Sequence, residues 1–161
     1  MLPNGSPFPQ LSLPTRQGRE LLLPAAMHGS YGVVLVYRGA WCPYCVGQLR
    51  SFTRRDELLK AEGITTVALS ADSRTTAQQT VQDLDVPFPV GCEADVPQVA
   101  KALECYTDPD VTFFQSTGFV LHPDGAILLA LYSSGPIGRL GPADVLSFVS
   151  RHRDKNAQAA S

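Results

Sequence analysis

The chain has 161 residues, a net charge of −2, 44% hydrophobic and 17% charged residues, which fits one soluble globular domain that buries about two-thirds of its unfolded surface. That balance lacks the basic face of a nucleic-acid binder. The basic clusters at Arg54–Arg55 and 151–155 are interrupted by acidic neighbours and read as solvated helix faces. No apolar run reaches the length of a membrane span, and MLPNGSPFPQ at the N-terminus shows neither the basic nor the apolar region of a secretory signal. The expected compartment is therefore cytoplasmic, where thiols stay reduced and a structural disulfide is not expected.

The first ten residues read as a loose lead-in. LSLPTRQGRELLL (11–23) reads as a hairpin, with two apolar stretches around the polar turn Thr15–Gly18. YGVVLVY (31–37) is a continuous β-branched run of the kind that forms a central strand buried on both faces. A helix is predicted from Pro43, which suits a first helical position, to Glu62, with Gly63 as its stop. Cys45, Leu49, Phe52 and Leu59 form its core-facing stripe.

GITTVALSA (63–71) is a second strand, followed by a more polar helix over 73–84 with Ser73 as N-cap. DVPFPVGCEAD (85–95) is kept extended by its prolines, and DVPQVAKALEC (95–105) is a helix capped by Asp95. TGFVLHPDGAILLALY (117–132) is a hairpin turning through Pro123–Asp124–Gly125. GPADVLSFVSRH (141–152) is an amphipathic helix that closes a domain over 1–152, and 153–161 reads as a disordered tail. Strands joined through helices imply an α/β fold: a parallel portion of sheet with helices on its faces, and an antiparallel edge from the late hairpin.

The chemistry concentrates in YRGAWCPYCVGQ (37–48), beyond the carboxyl end of the central strand, where such sheets place reactive residues. Cys42 falls at the N-cap of the long helix, where unpaired N–H groups and the helix dipole favour a thiolate. Arg38 adds a fixed positive charge. Cys45 lies one turn further on, in the buried stripe. The pair therefore reads as one exposed, activated sulfur and one shielded sulfur placed to attack it.

Pro43 stiffens the turn, and Trp41 and Tyr44 are expected to wall the site on either side. Half a zinc site and two inert packed cysteines are the alternative readings; the remaining Cys92, Cys105 and His122 have no zinc-knuckle spacing. Cys92 and Cys105 read as core or semi-buried cysteines, with an auxiliary resolving role as the alternative.

VVLVYRGAWCPYCVGQLRSF resembles the active-site strand, loop and helix of peroxiredoxins in the alkyl hydroperoxide reductase and thiol-specific antioxidant (AhpC/TSA) group. GSPFPQLSLPTRQGRELLL, LDVPFPVGCEADVPQVAKAL, GFVLHPDGAILLALY and GRLGPADVLSFV resemble its successive segments, in order, through about residue 150. The resemblance implies a thioredoxin-like fold with a central mixed sheet and an N-terminal β-hairpin extension. It also implies a thiol-dependent peroxidase acting on hydrogen peroxide or organic hydroperoxides, with no cofactor and with a thioredoxin or glutathione-type reductant.

Carried over by position, Cys42 is the peroxidatic cysteine, Cys45 its resolving partner, and Arg38 the group that polarises the peroxide, with Arg139 as a second basic group. A homodimer is also implied. The chain departs from the group's PxxxTxxC pattern, with Leu35 at the proline position and Gly39 at the threonine position. WCPYC is spaced like the redox loop of thioredoxins and glutaredoxins, so a thiol–disulfide oxidoreductase is the alternative activity and a non-catalytic redox-sensing module a third. Ser116 and Thr117 stand where those oxidoreductases carry a cis-proline.

Overall fold

A computed structural model describes residues 1–160. The β-branched run becomes β3 (Tyr31–Val36), the axis of a five-stranded mixed sheet. It pairs parallel with β4 (Ile64–Leu69) and antiparallel with β6 (Thr117–Leu121). Outside these lie β5 (Val90–Gly91) beside β4, and β7 (Ile127–Tyr132) beside β6. Ahead of the sheet, β1 (Leu11–Pro14) and β2 (Glu20–Leu23) form a separate antiparallel hairpin. A short 3-10 turn over Ala25–Met27 links it to β3 and had no signal in the sequence.

All six residues of β3 are buried because both faces of the sheet are covered. The two-residue period of the strand sorts them into two cores. Val33 and Leu35 point into one with Leu49, Phe52 and Leu59 of α1 (Pro43–Ala61) and with Val145 and Val149 of α4 (Pro142–Ala160). Val34 and Val36 point into the other, with Leu13, Leu21 and Leu23 of the hairpin and Val99 and Leu103 of α3 (Val96–Leu103). α2 (Arg74–Leu84) joins the first core through Val81.

Local chemistry explains the ends of these elements. Ser73 Oγ accepts from Thr76 N–H at 3.1 Å, and Asp95 Oδ1 from Gln98 N–H at 3.0 Å, each satisfying an orphan helical donor. In the late turn, Asp124 Oδ1 accepts from Ala126 N–H at 2.9 Å.

The end of the chain differs from the sequence reading. α4 continues through Ala160, so 153–160 is helical where an irregular tail was expected. RDKNAQAA contains no glycine or proline to stop a helix, and Ala, Gln, Lys and Arg favour its propagation once packing has set the first turns. Ser161 lies outside the described residues.

Phe52 is fully buried at the centre of the α1 stripe. The Phe52→Ala protein is expected to lose about 3–5 kcal/mol of unfolding free energy through lost burial and a residual cavity. Urea denaturation checks this, and a loss below about 1 kcal/mol would show that the α1 seam collapses around the gap.

Candidate active site

The loop between β3 and α1 carries the predicted site. Cys42 is the N-cap residue of α1, in extended conformation, and Pro43 opens the helix. Its N–H donates to the Gly39 carbonyl at 3.1 Å, and its carbonyl accepts the Val46 N–H at 3.1 Å. On the other side of the loop, Ala40 N–H donates to Asp72 Oδ2 at 2.9 Å, tying the loop to the segment after β4. Burial raises the Asp72 carboxyl above its usual range, opposed by the Ala40 N–H and the Ser70 hydroxyl.

Arg38 and the two sulfurs come together as the sequence suggested. Arg38 Nη1 lies 3.7 Å from Cys42 Sγ, while the Arg38 backbone N–H donates to Cys45 Sγ at 3.3 Å. Both cysteines are free thiols. Burial pushes the Cys42 thiol up. The backbone N–H and thiol of Cys45, the Arg38 guanidinium and the Tyr44 N–H outweigh that push and hold it below the usual cysteine range.

The N–H groups of Cys45 and Tyr44 face the sulfur without closing a full capping hydrogen bond, so their effect is one of charge and dipole. Cys45 moves the other way. Burial and its bond to Cys42 push its thiol up, opposed by the Arg38 N–H and by Arg139.

Two expectations need correction. The attacking sulfur was expected to be exposed, but Cys42 is only 1% exposed and Cys45 is fully buried. The asymmetry between the sulfurs is electrostatic and not one of exposure.

Trp41 and Tyr44 do not wall the site on two sides. Tyr44 is 51% exposed and contributes its backbone N–H. Trp41, 56% exposed, stacks edge-on against Phe113 with ring centroids 4.9 Å apart. The Arg38 guanidinium packs 4.9 Å from the Trp41 ring and 5.1 Å from the Phe113 ring.

Position 39 is explained by the same tryptophan. A β-carbon built on Gly39 would lie 2.8 Å from Trp41 Cδ1 and nearer still to Nε1, so the indole fills the space of any side chain there. Gly39→Thr is expected to expel Trp41 from Phe113 and Arg38 and to cost about 1–3 kcal/mol. Trp41 is the single tryptophan of the chain, so its emission reports the displacement directly. Unchanged emission would mean that the loop backbone moves instead.

Sequence reasoning missed four side chains that complete the site. Gln115 Oε1 accepts from Arg38 Nε at 3.0 Å. Phe113 supplies the second ring, Asp72 anchors the loop, and Gln48 Oε1 accepts from Arg139 Nη1 at 2.9 Å. None had a signal in its own neighbourhood except Gln48, which sits one turn after Cys45 on α1.

Cys92 is buried, its thiol donating to the Pro14 carbonyl at 3.5 Å. Burial pushes half-buried Cys105 up to about 11, as suits a packed and unreactive thiol. Among the described residues, no group of three or more His, Cys, Asp or Glu side chains is placed to hold a metal, and no helix is long and apolar enough to cross a membrane.

An activated thiol at a helix N-terminus beyond a central strand is joined by an independent finding: the AhpC/TSA family model matches residues 4–129. The chain belongs to the AhpC/TSA family. It is an oxidoreductase of the peroxidase kind, with the thioredoxin-like α/β fold that the motif order implied.

Several solved peroxiredoxins share that fold at low identity. A yeast mitochondrial 1-Cys peroxiredoxin, studied for thiol resolution via glutathione and thioredoxin systems, superposes with a TM-score of 0.84 at 16% identity, covering 99% of this chain and 80% of its own. A mutant of peroxiredoxin 6 from Arenicola marina gives 0.81 at 16% identity, covering 93% and 73%. Peroxidoxin BcpB from Mycobacterium tuberculosis gives 0.74 at 18% identity, covering 83% and 88%. No curated protein matches the sequence.

Proposed function

We propose that this AhpC/TSA protein reduces hydrogen peroxide or small organic hydroperoxides through Cys42, with Cys45 as the resolving thiol. A thioredoxin- or glutathione-type dithiol or thiol returns the pair to the reduced state. The observation that carries the reading is the Cys42 sulfur, held at the α1 N-terminus 3.7 Å from Arg38 Nη1, with a second thiol one helical turn away.

The Cys42 thiolate attacks the terminal oxygen of the peroxide and the O–O bond breaks, and the departing alkoxide or hydroxide takes up from solvent the proton that the Cys42 thiol had released. Cys42 becomes a sulfenic acid. The Arg38 guanidinium faces the charge that develops on the leaving oxygen. Cys45 then forms an S–S bond to Cys42 as the S–O bond breaks, releasing water. Two electrons from the reductant reopen the disulfide.

Stopped-flow oxidation of the fully reduced protein by hydrogen peroxide tests the reading. A second-order rate far above that of a free thiol is expected. A rate no faster than a free thiol, together with rapid reduction of insulin or of a glutathione mixed disulfide, would overturn it in favour of a thiol–disulfide oxidoreductase.

A further inference from the structure

Each of the two sulfurs has a guanidinium of its own. Arg38 Nη1 meets Cys42, whereas Arg139, on the segment between β7 and α4, places Nη2 3.6 Å from Cys45 Sγ. Arg139 is locked in place. Its Nε donates to the Pro136 carbonyl at 3.0 Å, and Nη2 donates to the same oxygen. Its Nη1 donates to Gln48 Oε1 at 2.9 Å, while Gln48 Nε2 donates to the Leu140 carbonyl at 2.9 Å. Gln48 is buried and ties α1 to the Arg139 side chain and to the Leu140 backbone. A half-buried charge fixed by this many bonds pays little to reorganise when its target changes charge.

We propose that Arg139 is the catalytic partner of Cys45, stabilising its thiolate both when it attacks oxidised Cys42 and when it leaves during reduction of the disulfide, while Arg38 serves the peroxide step. This inference rests on the Cys42–Cys45 chemistry proposed above. The order of events follows from the electrostatics. While Cys42 is a thiolate, its negative charge holds the Cys45 proton in place. Once Cys42 is a neutral sulfenic acid, burial alone opposes Arg139 and the Arg38 N–H, and the Cys45 thiolate is favoured more than before. The resolving nucleophile is thus switched on by oxidation of its neighbour.

In the resolving step, the Cys45 thiolate forms the S–S bond to Cys42 and the S–O bond breaks. The departing hydroxide takes the proton that Cys45 released, giving water. In the recycling step, a reductant thiolate attacks Cys42 Sγ and the S–S electron pair passes to Cys45. A second reductant thiol then frees Cys42, so two thiols end as one disulfide. Arg139 stabilises the attacking thiolate in the first case and the leaving thiolate in the second.

The test follows Trp41 emission in stopped flow for the wild type, Arg139→Gln and Arg139→Lys. It separates a peroxide-dependent phase from a peroxide-independent resolving phase. Arg139→Gln is expected to slow the resolving phase about tenfold and to move its pH midpoint upward, with partial recovery in Arg139→Lys. The peroxide-dependent phase is expected to slow by a smaller factor than the resolving phase, because Arg139 contacts the sulfur of Cys45. A resolving phase that is unchanged, or that slows with an unmoved pH midpoint, overturns the proposal.

A second arm needs no peroxide. The Cys42–Cys45 disulfide is formed with diamide and reduced with dithiothreitol, and Arg139→Gln is expected to be reduced about tenfold more slowly. Equal rates overturn the proposal, whereas a missing fast peroxide phase in the wild type counts only against the peroxidase reading. Should Arg139→Gln fail to fold, Gln48→Leu, which loosens Arg139 but keeps its charge, is expected to slow the same reduction by a smaller factor. No slowing there also overturns the proposal.

Discussion

Cys42→Ser protein is expected to consume hydroperoxide about three orders of magnitude more slowly than the wild type, or worse, while folding normally. A serine hydroxyl stays protonated at neutral pH, and the side chains that meet this position among the described residues are the Arg38 guanidinium and the Cys45 thiol. The thiolate and its leaving-group chemistry vanish together. Cys45→Ser separates the two halves of the cycle. It retains the first, peroxide-dependent phase, because the Arg38 contact and most of the dipoles facing Cys42 remain.

It then stops. Sulfenic acid accumulates on Cys42, is trapped by dimedone, and passes to sulfinic acid under excess peroxide. Coupled turnover with a dithiol reductant falls, while turnover with a monothiol able to form a mixed disulfide persists. Mass spectrometry of the trapped adduct decides the assignment. A sulfenic acid on Cys45 in the Cys42→Ser protein would reverse the roles of the two sulfurs.

The parts of this arrangement that were legible in the sequence are those written in local chemistry. A β-branched run followed by Cys42 and Pro43 marks a central strand feeding a helix N-terminus. Ser73, Asp95 and Pro123–Asp124–Gly125 mark ends and turns because their side chains or rings act on their own backbone. The i, i+3 spacing places Cys45 one helical turn beyond Cys42.

What was not legible depends on residues far apart in the chain. Gln115 meets Arg38 across 77 positions and Arg139 meets Cys45 across 94. Arg139 was suggested by resemblance to a family, and its pairing with Cys45 in place of Cys42 by nothing in the sequence. The burial of Cys42 is tertiary in the same way. An N-cap position predicts a field but not an exposure, because the side chains that pack over the cap come from elsewhere.

Gly39 shows how one departure from the family pattern becomes intelligible only in three dimensions. Read alone, it is a lost hydroxyl. In the structure its missing β-carbon is the space into which the Trp41 indole fits, and that indole forms one face of the Arg38 site. The absent threonine and the tryptophan two residues later are therefore one feature. The guanidinium that faces Cys42 is steered by rings and by Gln115 where the PxxxTxxC pattern would supply a hydroxyl.

Arg38→Met is expected to slow the peroxide step at Cys42 about 100-fold, equivalent to about 2.7 kcal/mol of transition-state stabilisation. Two losses contribute, and pH separates them. In the wild type the Cys42 thiol lies below the usual range. The rate should be flat at neutral pH and fall only as acid protonates the sulfur. Removing the positive charge raises the thiol, so the fall begins at higher pH and the two proteins differ most between their midpoints. At alkaline pH Cys42 is a thiolate in both proteins, and the difference that persists is the guanidinium's action on the leaving oxygen alone.

Arg38→Lys is expected to recover the pH midpoint better than the alkaline rate. An ammonium supplies charge, but it cannot bond Gln115 while packing against both Trp41 and Phe113 as the larger planar guanidinium does. Initial rates of peroxide-dependent Trp41 emission change, taken across pH for the three proteins, measure both effects. An alkaline rate in Arg38→Met equal to the wild type would confine Arg38 to holding the thiolate and remove it from the chemistry of O–O cleavage.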